Sequence, residues 1–238
     1  MKLLIVRHGD PDYANDTLTE IGKKEAMLLA DKLEKLDIAK VYVSPLGRAR
    51  DTAEYTLKRI GKTATVCDWL REFPPQVDKP NKPQSICWDW LPKDWVDEER
   101  FFDRERWLEP EVFAPAREDY RAVCEGLDKL LSEHGYERNG SLYNAKNANE
   151  DTIVFFCHFG LECVLLSHLL NISPMQLWHG FCAAPTSVTT LITEEREKGI
   201  AYFRMSSFGD TGHLYAKDTP PSFSARFCET YDNFEQRH

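Results

Sequence analysis

The sequence predicts an α/β fold, a three-layer α/β/α arrangement with a mostly parallel central sheet and a helical, tryptophan-rich cap insertion. Three observations predict it. Short apolar or β-branched runs alternate with longer helical patterns through residues 2–67, the signature of successive βα units. An apolar run, TIVFFC at 152–157, returns late in the chain and again leads into a helical pattern. Between the two lies a stretch, residues 73–115, crowded with prolines and tryptophans, where no regular βα unit can be read.

Residues 2–6 form the first expected strand. Thr19 is a suitable N-cap for a helix whose apolar face is Ile21, Ala26, Leu28, Leu29, Leu33 and Leu36. Residues 40–43 make a short β-branched strand, and Ser44-Pro45 closes it and opens a helix, because proline suits a first helical turn. Gly61 ends that helix, and residues 64–67 are a third strand. This β-α-β-α-β order favours a parallel sheet with right-handed crossovers. The insertion, with prolines at 74, 75, 80, 83, 92, 110 and 115, is expected to hold short helices. A helix follows over about residues 115–134, then a loop or exposed hairpin over 137–150. After the strand at 152–157 comes a helix over 161–170, then a hairpin of 187–193 with 200–206; the tail from Asp210 shows no clear element.

Bulk properties narrow the function classes. A chain of 238 residues with 42% hydrophobic content can bury a large core, as one large domain or two small ones. Its formal charge of -9 argues against nucleic acid and anionic membrane as partners. There is no apolar run of membrane-spanning length and no leader-like start, so a cytoplasmic location is expected. The cysteines at 67, 87, 124, 157, 163, 182 and 228 contain no paired ligand spacing. Reduced thiols and no structural metal follow.

Chemistry gathers at the strand ends. Arg7-His8-Gly9 ends the first strand, Ser44 ends the second with Arg48 one turn into the next helix, and His158 follows the strand at 152–157. In a parallel sheet these ends share one edge, where open α/β sheets bind ligands. A histidine there can serve as a nucleophile, and arginine forks suit phosphate. Gly9 is expected to allow a tight turn and close approach of an anion. A leaving alkoxide needs a proton, and Glu72 in Leu70-Arg71-Glu72 is placed to supply it, with Asp10 and Asp210 as weaker candidates.

These residues resemble the histidine phosphatase superfamily, also called phosphoglycerate mutase-like. The resemblance is carried by LLIVRHGDPDY at 3–13, LTEIGKKEA at 18–26, VSPLGRARDTAE at 43–54, LRE at 70–72, VFFCHFG at 154–160 and SFGDTGHL at 207–214. It implies a single histidine-phosphatase-like domain over residues 1–238, with a cap insertion at about 73–115. It implies His8 as the residue that becomes phosphohistidine, Arg7, Arg48 and His158 as phosphoryl ligands, and Glu72 as general acid and base. No metal and no cofactor is implied. Many members carry an asparagine seven residues after the arginine; here that position is Ala14 and the neighbour is Asn15, the remaining candidate phosphate ligand. Glu72 is followed by Phe73-Pro74-Pro75 rather than a glycine-rich turn, and the ERHYG-like segment of cofactor-dependent mutases is missing. The expected function is a metal-independent phosphomonoester phosphatase acting on a small phosphorylated metabolite. The alternatives are a phosphoglycerate-type mutase, or a phospho-ligand binding protein with little turnover. The tryptophans of the insertion either line a pocket or form a small core, the latter being favoured, and exposed aromatics leave room for a homodimer.

Overall fold

The computed structural model describes residues 1–223 and 229–233; Cys228 and His238 lie outside the described residues. Strand β1 (Lys2–Arg7) is followed by a loop framed by the small pair β2 (Pro11–Asp12) and β3 (Thr17–Leu18). Helix α1 (Glu20–Leu33), strand β4 (Ile38–Val43), helix α2 (Gly47–Ile60) and the two-residue strand β5 (Thr65–Val66) complete the first half. The Thr19 hydroxyl accepts from the Gly22 N–H, the expected N-cap of α1. The insertion holds a hairpin, β6 (Gln76–Lys79) and β7 (Lys82–Ile86), and 3-10 turns at Pro92–Asp94, Glu99–Phe102 and Glu111–Ala116. Helix α3 (Arg117–Glu133), strands β8 (Tyr136–Asn139), β9 (Leu142–Ala145) and β10 (Thr152–Cys157), and helices α4 (Phe159–Leu170) and α5 (Pro174–Gly180) come next. Strands β11 (Val188–Glu197) and β12 (Ile200–Asp210) and the short helix α6 (Gly212–Tyr215) are the last elements among the described residues.

The eight-stranded sheet runs β5-β4-β10-β1-β11-β12-β9-β8 and is flanked by helices, a three-layer α/β fold. The expectation of a mostly parallel sheet holds for half of it. Strands β5, β4, β10 and β1 are parallel, whereas β11, β12, β9 and β8 pair antiparallel. The physical reason is connectivity. The β11–β12 hairpin docks directly on β1, with Leu3 opposite Leu191, so no crossover helix is needed. The segment over 137–150 is the exposed hairpin, not a loop, and it extends the sheet where Ala201 of β12 meets Tyr143 of β9.

Burial follows from position. In the parallel half, β10 is covered on both faces, which is why Ile153, Val154, Phe155, Phe156 and Cys157 are all fully buried without alternation. The insertion departs from the expected helical cap: no α-helix forms in it, and its prolines leave only a hairpin and 3-10 turns. Its tryptophans pack inward. Trp88, Trp90 and Trp107 are buried in the same apolar cluster as Leu3 and Ile5 of β1, and Trp88 and Trp107 both contact Trp178 of α5. These aromatics do form core, but as part of the main sheet core rather than a small core of the insertion's own. Cys67, Cys87, Cys124, Cys157 and Cys163 are unbridged thiols. Among the described residues no helix is long and apolar enough to cross a membrane.

Close backbone approach sets the loop beside β1. A Cβ at Gly22 would lie 2.2 Å from the Asp10 carbonyl oxygen, and one at Gly47 2.1 Å from the Asp16 carbonyl oxygen. Alanine at Gly47 would ordinarily favour the helix by up to about 1 kcal/mol. Here a backbone oxygen stands in the way, and the clash wins. Gly47→Ala is expected to cost about 1–3 kcal/mol, read as a Tm lowered by several degrees in thermal unfolding. An unchanged or higher Tm would show that the α2 N-terminus can yield.

Candidate active site

Three strand ends converge. Arg7 and His8 leave β1, Ser44 leaves β4, and His158 leaves β10; the parallel register, with Arg7 opposite Cys157, brings them to one edge. Backbone bonds pin the turn: the His8 N–H donates to the Cys157 carbonyl at 3.0 Å and the Gly9 N–H to the Thr52 hydroxyl at 2.9 Å. That hydroxyl in turn donates to the Arg48 carbonyl at 2.7 Å, tying α2 to the turn. Gly9 is not in the left-handed region, so the backbone conformation of the turn does not itself demand glycine. A side chain there would meet the Gly22 carbonyl at 2.8 Å, so glycine is needed for packing against α1. Thr186 is the strained residue instead. Its φ of 57° is rare for a β-branched side chain, and its N–H donates to the Arg7 and His8 carbonyls at 3.1 and 3.2 Å.

His8 is 2% exposed, and its Nδ1 lies 2.7 Å from the Gly9 carbonyl oxygen. A carbonyl can only accept, so Nδ1 carries the proton and Nε2 keeps its lone pair. Burial, reinforced by the Arg7 and Arg48 charges, holds the His8 pKa well below the usual histidine value. The ring is therefore neutral near pH 7. His158 is fully buried, its ring centroid 5.1 Å from that of His8, and its Nε2 lies 2.7 Å from the Ser44 hydroxyl. Burial and the same cations lower its pKa too.

Arg7 donates from Nη1 to the Ala183 carbonyl at 2.6 Å. Arg48 donates to Asp16 Oδ1 at 2.7 Å and stacks 5.4 Å over the Tyr13 ring. Asp16 also accepts from the Gly47 N–H at 2.6 Å, so one carboxylate caps α2 and aims Arg48. Sequence reasoning missed Asp16; its one signal was a carboxylate lying just beyond the loop that follows Arg7-His8-Gly9. Among the described residues, Arg48 Nε and His158 Nδ1 are buried nitrogens with no hydrogen-bond partner. Such orphans are costly unless a ligand satisfies them.

Glu72 stands at the same edge. Its Oε1 accepts from the Leu161 N–H at 3.0 Å, in the first turn of α4, and from the Phe73 N–H at 2.9 Å. Burial raises its pKa, against the pull of those two N–H groups and the Arg48 and Arg7 charges. Trp88 packs against the Gly160 position beside it, so one aromatic of the insertion walls the site. The other acids are occupied elsewhere: Asp10 Oδ2 accepts from the Thr19 hydroxyl at 2.7 Å, and Asp210 pairs with Lys32. Asn15 is not brought to the site. It is exposed, and its amide donates to Asp12 Oδ2 at 2.8 Å, because the 12–15 turn closes on the Asp12 carboxylate. His213 supports the turn from behind: its Nε2 is 3.1 Å from the Thr186 hydroxyl, and burial lowers its pKa to about 4.

Glu162, in the first turn of α4, was not anticipated. It is 1% exposed, and burial raises its pKa to about 7, with Thr189 and the Arg7 charge working the other way. A carboxyl whose folded pKa is raised adds nothing adverse below its unfolded value near 4.5 and a full penalty above about pH 7. Wild-type stability should thus fall by about 3 kcal/mol across that window on account of this group. Glu162→Gln should remove that slope, measured by urea unfolding at several pH values; parallel curves for the two proteins would refute the titration. Among the described residues no group of three or more His, Cys, Asp or Glu side chains is placed to hold a metal ion.

The chain is similar in sequence and fold to known proteins. The chain is 22% identical over 234 residues to a probable phosphatase of Schizosaccharomyces pombe, spanning 92% of this chain and 98% of that protein. Its fold is similar to that of a mutant phosphoserine phosphatase from Entamoeba histolytica crystallised with phosphoserine, with a TM-score of 0.58, 19% identity, and 90% and 98% of the two chains covered. It is likewise similar to a mycobacterial glucosyl-3-phosphoglycerate phosphatase with inorganic phosphate, with a TM-score of 0.57, 22% identity, and 90% and 99% covered. Residues 3–205 match the profile of the histidine phosphatase superfamily (branch 1), and the chain belongs to that family.

Proposed function

We propose that the protein is a metal-independent phosphomonoester phosphatase that acts on a small phosphorylated metabolite through a phosphohistidine at His8. The observation that carries this is the state of His8: a neutral ring whose Nδ1–H is spent on Gly9, leaving the Nε2 lone pair beside two guanidinium groups. The orphaned nitrogens Arg48 Nε and His158 Nδ1 support a seat for phosphoryl oxygens. Arg7 adds charge to the same seat, and the α4 N-terminus adds oriented dipoles.

In the first half-reaction the His8 Nε2 lone pair forms a bond to phosphorus while the P–O ester bond breaks in line. Glu72, whose burial favours the protonated form, gives its proton to the departing oxygen. In the second, the Glu72 carboxylate takes a proton from water, the water oxygen bonds to phosphorus, and the P–N bond breaks. His8 returns neutral, Glu72 returns protonated, and phosphate leaves. The insertion packs into the sheet's core, which supports reading the chain as a single histidine-phosphatase-like domain.

The test is a panel of phosphorylated metabolites, with a phosphorylated amino acid and a phosphorylated sugar acid among them, assayed for free phosphate in the presence of a chelator. Turnover of at least one member, undiminished by chelation, is expected. No release of phosphate from any of them, with phosphate still bound, would favour a binding protein instead.

A further inference from the structure

We propose that Ser44 is a positioning residue that locks His158 in the Nδ1–H tautomer, so that a neutral imidazole presents a donor to the phosphoryl group. The inference rests on the reading of His158 as a phosphoryl ligand. Ser44 is fully buried at the end of β4, and its own N–H is held by the Phe156 carbonyl at 3.0 Å. Its hydroxyl oxygen accepts from the Leu46 N–H at 3.2 Å and lies 2.7 Å from His158 Nε2. A hydroxyl has one proton to give. With Leu46 donating to the oxygen, that proton goes to His158 Nε2, which must then be bare, and the ring proton sits on Nδ1.

The other tautomer fails on the same count. If Nε2 carried the proton, the Ser44 oxygen would receive two donors and its own proton would be buried without an acceptor, an unmade bond in a dry site. Imidazolium fails on charge. The groups that face His158 are Arg7 and His8 from β1 and Arg48 from α2, with Glu72 held at the first turn of α4, and burial and the cations oppose protonation.

The consequence is complementarity between two neutral rings. Gly9 takes the Nδ1 proton of His8 and leaves a lone pair at Nε2; Ser44 fills Nε2 of His158 and leaves a donor at Nδ1. One ring attacks and the other donates to an oxygen of the phosphoryl group being transferred, with no proton taken from solvent. A His158 in the opposite tautomer would aim a lone pair at a phosphoryl oxygen.

The experiment is 15N NMR of the histidine rings in the wild-type protein at neutral pH, with His158 assigned by its loss in His158→Gln. A protonated Nδ1 and an unprotonated Nε2 are expected. In Ser44→Ala the two nitrogens should shift toward averaged values, and kcat on an aryl phosphate should fall by about 10- to 100-fold with a smaller change in KM, as for loss of one aligned donor. Ser44→Thr, which keeps the hydroxyl, should restore the wild-type tautomer and kcat. A wild-type His158 protonated at Nε2, or a Ser44→Ala enzyme with unchanged kcat, would overturn the proposal. If Ser44→Ala does not fold, the wild-type spectrum decides alone. That spectrum reads the tautomer whether or not turnover is found, so failure of the phosphatase reading and failure of this one are told apart.

Discussion

His8→Ala is expected to lower hydrolysis of any accepted phosphomonoester by at least about 10⁴-fold, because no other group in the site holds an activated lone pair. The neighbouring ring, His158, has its Nε2 filled by Ser44 and turns a donor toward the seat. The arginines cannot attack at all. The fold should survive, since the turn is pinned by backbone bonds to Cys157, Thr52 and Thr186 that the substitution leaves intact. Phosphate or vanadate should therefore still bind, through Arg7, Arg48 and His158. Rapid quench with labelled substrate should find an acid-labile phosphoenzyme in the wild type and none in the variant. Retention of more than a tenth of the wild-type rate would remove His8 from the role of nucleophile.

Glu72→Gln should have the second largest effect, a fall in kcat of about 10²- to 10⁴-fold on alkyl phosphates. The amide oxygen can still accept from Phe73 and Leu161, so the α4 N-terminus stays satisfied and only the proton is lost. Aryl phosphates should suffer less, because a phenoxide departs with little help. The pH profile carries the sign. His8 must be deprotonated, and its lowered pKa places that limb well below the ordinary histidine range. Glu72 must be protonated at the first step, and its raised pKa places the falling limb above the ordinary carboxylic range. Activity should therefore follow a bell between the two limbs, and Glu72→Gln should erase the upper limb. The second ionisation of the substrate phosphate is common to both proteins, so the limb that disappears belongs to Glu72. An equal loss on alkyl and aryl substrates, with the limb intact, would mean that Glu72 only caps α4.

Much of this site was legible in the chain because it is carried by strand ends. A run such as LLIV or TIVFF must be buried, and the first polar residue after it must surface at the sheet's edge. That logic reached Arg7, His8, Ser44 and His158, and the first turn after Ser44-Pro45 reached Arg48. It failed for Asn15, whose neighbourhood is a turn closed by Asp12 rather than a strand end. It also failed for Gly9, where the turn was expected to demand glycine and the constraint is contact with Gly22. The hairpin at the C-terminal side was legible as a hairpin, but its docking on β1, which makes half the sheet antiparallel, is a contact between residues almost the whole chain apart.

By itself the sequence determined which residue types stand at the ends of buried strands, because hydrophobic periodicity and turn chemistry are local properties. From these came the α/β class, the family, and the expectation of phosphoryl chemistry at His8. Only the tertiary structure decided the electronic state of those residues. The proton on His8 is placed by Gly9, that on His158 by Ser44, the aim of Arg48 by Asp16, and the raised pKa of Glu72 by burial against α4. The last three are long-range contacts in a low-dielectric site, where one partner decides which nitrogen or oxygen carries a proton, and that choice is invisible in a linear pattern.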